Sequence, residues 1–168
     1  LELVRAEIGP AGHLCGDANC GWELEEAASR IAALEPGLVD LIEQPVAGLD
    51  GLASLRGPAT AIALDEDATE PRALDSPARA DAVCIKVQAW GGIDRALAAA
   101  AHARRSGLAV YFGSSLEGAV GTAASVLAAQ AFGPDLASGV DTLDLYEWEF
   151  PVFTGRPTER SAVPGNGL

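Results

Sequence analysis

Five short apolar runs recur along the chain at 12–17, 38–43, 60–65, 82–86 and 108–112, and four of them end on a charged residue. Each gives way to a longer stretch (23–34, 49–55, 71–80 and 92–105), and several of these carry apolar residues at helical spacing, as with Ala27, Ile31 and Leu34. Strand runs alternating with helices of this size imply βαβ units and a parallel sheet. Apolar runs that do not alternate suit strands covered on both faces. A small-residue helix is expected over 118–132 and a last strand over 139–145, followed by an irregular tail rich in Pro and Gly.

The charged ends are Asp17, Glu43, Asp65 and Lys86, and they stand 26, 22 and 21 residues apart, close to one strand-plus-helix step each. A doubly wound open sheet accommodates such a repeat. A barrel explains it better, because the C-terminal ends of successive barrel strands converge on one site. In an open sheet only the strands at the switch point do so. A nucleotide-binding open sheet also lacks support, since no Gly-rich phosphate loop follows the first run. The expected fold is therefore α/β, a partial TIM-type barrel. At 168 residues the chain is shorter than the roughly 250 of a whole barrel. It contains no methionine and opens on LELVRAEIGP, so the expectation is a piece that begins within a helix.

Three carboxylates at the mouths of consecutive strands repel one another unless a cation neutralises them. Asp17, Glu43 and Asp65 are accordingly the expected ligands of a divalent ion, and hard oxygen donors select Mg²⁺ (or Mn²⁺) over zinc. Taken singly, each also reads as a turn, strand-end or cap residue. Lys86 is the chain's only lysine; the other ten basic residues are arginines. Arginine cannot release its proton near neutral pH, whereas a buried lysine can act as a base, so Lys86 is the expected acid/base residue. Asn19, Gln44 and Glu66 follow the proposed ligands directly and are placed to orient them. Ser114 to Glu117 reads S-x-x-E, which is either a capping box or a helix start presenting Ser114, Ser115 and Glu117 to an anionic substrate. Asp141 flanks the last run and is a weaker candidate for the same role, as is Asp144. His13 and His102 are isolated.

Charge and cysteine usage narrow the partners. The net charge is −13, and the only basic cluster is Arg104 with Arg105, which argues against nucleic acid. No apolar run approaches the ~20 residues that span a bilayer, so no membrane partner is expected. Three cysteines without framework spacing (Cys15, Cys20, Cys84) are read as buried small hydrophobes in a reducing cytoplasm.

Read in order, GDAN (Asp17, Asn19), LIEQP (Glu43), ALDED (Asp65, Glu66), IKVQAWGG (Lys86) and YFGSSLEGAVGTAAS (Glu117) resemble the enolase superfamily, in its mandelate racemase/muconate lactonizing enzyme family and muconate cycloisomerase-like subgroup. The resemblance implies a (β/α)₇β barrel of which this chain holds roughly strands three to eight. It also implies an N-terminal capping domain and a second-strand Lys-x-Lys pair that the chain lacks. Residues 1–145 would then be the metal-binding catalytic part, and 146–168 a tail returning towards the capping domain. The resemblance gives Asp17, Glu43 and Asp65 the ligand roles and Lys86 the acid/base role, with a proton alpha to a substrate carboxylate moved through a metal-stabilised enolate; a Lys base with Mg²⁺ is the general pairing for this superfamily. It further implies a small carboxylate substrate and a homo-oligomeric whole protein. GVDTLDL at 139–145 is similar to o-succinylbenzoate synthases, and dipeptide epimerases share most of the set. An expectation of another class is a non-catalytic half barrel that associates through an unpaired strand edge.

Overall fold

The structure is a computed structural model that describes residues 1–57 and 60–145, apart from the Asp144 side chain. The tail expected over 146–168 lies outside the described residues, and so does the side chain of Asp144. The described residues divide into two compact units, Leu1–Val83 with Ser106–Leu108, and Cys84–Arg105 with those from Ala109 to Leu145.

The first unit runs α1 (Glu2–Ile8), β1 (Cys15–Asp17), α2 (Leu24–Ala32), β2 (Leu41–Glu43), α3 (Leu49–Leu55), β3 (Ala61–Leu64), a 3₁₀ turn at Glu66–Thr69, and the first half of β4 (Ala82–Ile85). β1, β2, β3 and β4 lie side by side in chain order, all parallel, with Asp17 opposite Glu43, Glu43 opposite Ala63, and Ala63 opposite Ala82. Chain order without a reversal is the barrel arrangement, since a doubly wound sheet reverses its strand order at the switch point. The β3 and β4 runs AIAL and AVCI are buried almost throughout, which explains why they do not alternate. β1 differs, with Cys15 and Asp17 both exposed.

The helices of this unit follow their apolar spacing. In α2, Ala27 and Ile31 are four apart and buried, while Glu26 and Arg30 pair on the wet side at 2.7 Å. In α3, Leu52 and Leu55 fill the same role. α1 buries nothing and is held by one polar side chain instead. The Arg5 guanidinium donates to the carbonyls of Leu38 (3.2 Å) and Gly12 and to Asp40 Oδ2 at 2.7 Å. Asp40 Oδ2 also accepts the Leu14 amide at 2.7 Å. Burial pushes the Asp40 carboxyl up, but the Leu14 amide and Arg5 outweigh it and hold it below its ordinary value.

The second unit contains the rest of β4, α4 (Ile93–Arg105), β5 (Ala109–Phe112), α5 (Ala119–Phe132) and a 3₁₀ turn at Leu143–Leu145. Its helices bury small residues: Ala96, Ala99, Ala100 and Ala103 on α4, and Thr122, Ser125, Ala128 and Ala129 on α5. Small faces let α4 and α5 pack closely. Phe112 and Phe132 meet edge to face with centroids 5.8 Å apart, and Gly133 ends α5 in the left-handed conformation that glycine adopts without strain.

Two expected elements do not form. Residues 71–80 are turns rather than a helix, because Arg72 is left-handed (φ 66°) and Pro77 has no amide hydrogen and restricts the residue before it. The run 139–145 makes a single parallel bridge, Gly139 to Gly113, and then the 3₁₀ turn. With a glycine and two aspartates it has little apolar surface to lay on a sheet. Among the described residues no helix is long and apolar enough to cross a membrane.

Candidate functional site

The ends of β2 and β3 bring two of the expected ligands together. Glu43 closes β2, and Asp65 follows β3 two positions after Ala63, the residue opposite Glu43. Side chains two apart on a strand share a face, so register alone puts Glu43 and Asp65 on one side of the sheet. Each offers a carboxylate oxygen, and these lie within 4.8 Å of one another. Asp65 is buried and Glu43 half-buried. Two full negative charges that close repel by roughly 3–4 kcal/mol at an effective dielectric of about 20. Positive charge relieves such crowding. Oxygen ligands sit about 2.0–2.6 Å from Mg²⁺ or Ca²⁺, so one ion between them accepts a separation of this size. The two carboxylates therefore fit a hard divalent cation.

Asp17 is opposite Glu43 in the register but is not brought into that close pair. It is exposed, and its Oδ1 accepts the Asn19 amide at 2.8 Å, a turn closed on its own loop. Asn19 is itself left-handed (φ 46°) and exposed.

Behind the pair lies a residue that the sequence placed only as a neighbour. Gln44 is fully buried, at 0% exposure, and left-handed (φ 36°). Its Oε1 accepts the amides of Asp65 (2.8 Å) and Asp67 (3.3 Å), and its Nε2 donates to Val46 O (2.9 Å) and Asp67 Oδ2 (2.7 Å). Its own amide donates to Ala63 O, and its carbonyl accepts the Cys20 amide. One side chain thus ties the loops after β2 and β3 together and fixes the backbone from which Asp65 projects. Asp67, which sequence reasoning missed, completes this clamp by also accepting the Gly48 amide at 2.7 Å. The signal was present in ALDED, where a third acid follows the two chosen.

Glu66 is exposed and accepts a long hydrogen bond from Cys20 Sγ at 3.8 Å. Burial, followed by the charges of Glu66 and Asp67, pushes the Cys20 thiol up to about 11. The expectation of three buried cysteines holds only for Cys84: Cys15, on the exposed strand β1, is exposed, and Cys20, in the loop after it, is half-buried.

In the second unit, Lys86 follows β4 directly and is half-buried. Its aliphatic stem crosses the end of β5 at Gly113. Ser114 and Glu117 do not form a capping box, because α5 begins only at Ala119 with Gly118 as its cap and no side-chain capping bond. Instead Glu117, 5% exposed, folds back on its own loop. Its Oε1 accepts Ser125 Oγ at 2.6 Å, and its Oε2 accepts Ser114 Oγ at 2.9 Å and the Ser115 amide. Ser114 Oγ also pairs with Thr142 Oγ1 at 2.7 Å and accepts the Leu116 amide. Burial pushes the Glu117 carboxyl up, yet Ser125 and its other donors outweigh this and hold it below its ordinary value. Ser115 and Asp141 are exposed, and Ser125 is a partner that the S-x-x-E pattern could not reveal.

The sequence profile of the enolase C-terminal domain-like family matches residues 1–163. An o-succinylbenzoate synthase from Thermobifida fusca is 37% identical over 151 residues, covering 86% of this chain and 46% of that protein. Muconate cycloisomerase 1 from Acinetobacter baylyi is 36% identical over 135 residues, covering 77% of this chain and 36% of that protein. The solved structure of a substrate-liganded L-Ala-D/L-Glu epimerase from Bacillus subtilis superposes with a TM-score of 0.76 at 29% identity, over 88% of this chain and 43% of that one. The chain spans less than half the length of each of these relatives. It belongs to the enolase C-terminal domain-like family, and so to the TIM-barrel part of the mandelate racemase/muconate lactonizing branch of the enolase superfamily.

Proposed function

We propose that the chain carries the cation-binding and proton-transfer residues of a divalent-metal-dependent isomerase or lyase that moves a proton alpha to a carboxylate, with a muconate cycloisomerase-like reaction. The observation that supports it most directly is the meeting of the Glu43 and Asp65 carboxylates within 4.8 Å at the ends of adjoining parallel strands. Glu43 and Asp65 would hold Mg²⁺ (or Mn²⁺), and Asp17, in register with Glu43, would join them by turning from the Asn19 amide. The cation would supply electrostatic stabilisation to the substrate oxygen that gains charge as the proton leaves. Lys86 would take and return that proton, a role open to a lysine amine and closed to arginine. Ser115 and Asp141 would contact the substrate from exposed positions, with Ser114 and Glu117 shaping their loop. Asn19 and Glu66 would steady the ligands. The whole protein would be a cytoplasmic homo-oligomer without nucleic-acid or membrane partners.

A second reading, an o-succinylbenzoate synthase-type reaction, draws on the comparisons. Relatives of that name match at 37–40% identity over 86–88% of this chain, against 77% for muconate cycloisomerase 1. The structural likeness to the epimerase keeps epimerisation as a further reaction on the same residues.

Binding of Mn²⁺ to metal-stripped protein, followed by electron paramagnetic resonance, tests the cation centre. Glu43→Gln and Asp65→Asn should each weaken it by at least about a hundredfold, since ligand loss leaves too few hard donors. Equal binding by both variants would remove the centre. Assay of the whole protein on muconate, o-succinylbenzoate precursor and dipeptide substrates then separates the reactions.

A further inference from the structure

Gly113, the residue that follows β5, is buried, and its φ is not among the positive values found at seven other glycines. A left-handed turn therefore does not explain a glycine there. Space does. A Cβ built on Gly113 would collide with Cys84 Sγ and come within 3.2 Å of Lys86 Cε and 3.5 Å of Lys86 Cγ. Cys84 and Lys86 are two apart, so they share a face, and the missing side chain of Gly113 would occupy that same face.

The backbone on both sides is fixed. The Gly113 amide donates to Ile85 O at 3.1 Å, the Ser114 amide to Gly139 O at 3.0 Å, and Lys86 O accepts the Trp90 amide at 3.2 Å. Neither strand end can retreat without breaking a ladder or turn bond. The Cys84 thiol would have to move most, and the lysine stem, with four rotatable bonds, would give by a few tenths of an ångström at Cε. A bare Cα at 113 gives the stem a flat floor and leaves it one course across the end of β5.

From this geometry we infer that Gly113 is a positioning residue for Lys86: it reserves the channel in which the lysine stem lies and so sets where its amine is delivered. The catalytic consequence rests on the acid/base role proposed above for Lys86; the steric claim does not.

Lys86 is the only lysine in the chain, so selective ¹³C-lysine labelling gives one side-chain ε-methylene resonance. Gly113→Ala should move that resonance in the chain itself. In the whole protein it should lower exchange of the substrate's alpha proton with solvent deuterium several-fold, less than the roughly hundredfold that a misplacement of about 1 Å can cost. KM and Mn²⁺ affinity should stay within a few-fold. Cys84→Ala combined with Gly113→Ala removes the worst collision and keeps the experiment informative if the single variant folds poorly. The double variant should regain thermal stability while resonance and exchange remain displaced. An unmoved resonance in folded Gly113→Ala, or full recovery of both signals once the thiol is gone, overturns the inference. Lys86→Ala separates the two ideas. Normal exchange in that variant sinks the acid/base reading, whereas loss of exchange there with normal exchange in Gly113→Ala sinks only the positioning role.

Discussion

Two acidic regions of this molecule look alike in sequence and differ in kind. At the ends of β2 and β3, the Glu43 and Asp65 carboxylates lie close together, with the Asp65 backbone held by Gln44. In the loop before α5, Glu117 is as buried as Asp65, and both its oxygens receive donors from its own loop and helix, Ser114, Ser115 and Ser125. The first arrangement sets two like charges close together. The second is complete as folded.

The sharpest way to break this contrast is at Gln44. Gln44→Leu keeps the volume but leaves the amides of Asp65 and Asp67, the Val46 carbonyl and one Asp67 oxygen without the partner they have now. Buried polar groups left unsatisfied cost about 1–3 kcal/mol each, and relaxation towards water recovers part of this, so a loss of about 3–5 kcal/mol in urea unfolding is expected. Mn²⁺ binding should fail with it. A loss under about 1 kcal/mol would mean the clamp does not hold the β2 and β3 loops.

Glu117 should behave as a structural acid. Glu117→Gln retains shape but replaces one acceptor by a donor, which then confronts a hydroxyl or amide that expects an acceptor. A loss of about 1–3 kcal/mol is expected with Mn²⁺ affinity unchanged. The pH dependence follows from the lowered carboxyl. A group depressed in the folded state stabilises it above its unfolded value, near 4.5, and that contribution is lost as pH falls through the native value. Urea midpoints measured across this acid range should therefore fall less steeply for Glu117→Gln than for the unaltered chain. Parallel profiles would show that Glu117 is not the group responsible.

How much of this was legible beforehand depends on which signals are local. The runs AIAL and AVCI announced β3 and β4 because strands buried on both faces must be apolar throughout, and α2 showed itself through the spacing of Ala27 and Ile31. The pairing of Glu43 with Asp65 was legible because parallel strands repeat at a regular step, so position in sequence became position on an edge. Asp17 followed the same rule at the backbone, while its side chain answered to a local turn with Asn19 that the step length does not encode. The failures share a cause. S-x-x-E described a helix start equally well, and only Ser125, eight residues on and brought back by α5, decided that Glu117 folds on its own loop. Gln44 looked like a neighbour of a ligand, since its four side-chain bonds go to residues up to 23 positions away. The segment 71–80 was expected to be helical from its place between two strand runs, but the left-handed Arg72 and Pro77 overruled it.

Asp65→Asn should produce the smallest change in stability and the most discriminating one. The substitution preserves the side-chain shape and leaves the Asp65 amide bonded to Gln44 Oε1, since that bond belongs to the backbone. What changes is charge. Removing one of two carboxylates within 4.8 Å relieves repulsion from Glu43 and gives up whatever attraction the same charge enjoyed, so the two consequences oppose each other. Metal-free stability should move by less than about 1 kcal/mol, against the larger loss expected for Glu117→Gln. Saturating Mg²⁺ should raise the melting temperature of the unaltered chain, because an ion that binds only the folded state stabilises it by mass action, and it should leave Asp65→Asn where it was. If Asp65→Asn instead unfolds the metal-free protein while Glu117→Gln does not, the roles assigned to the two acidic regions are reversed.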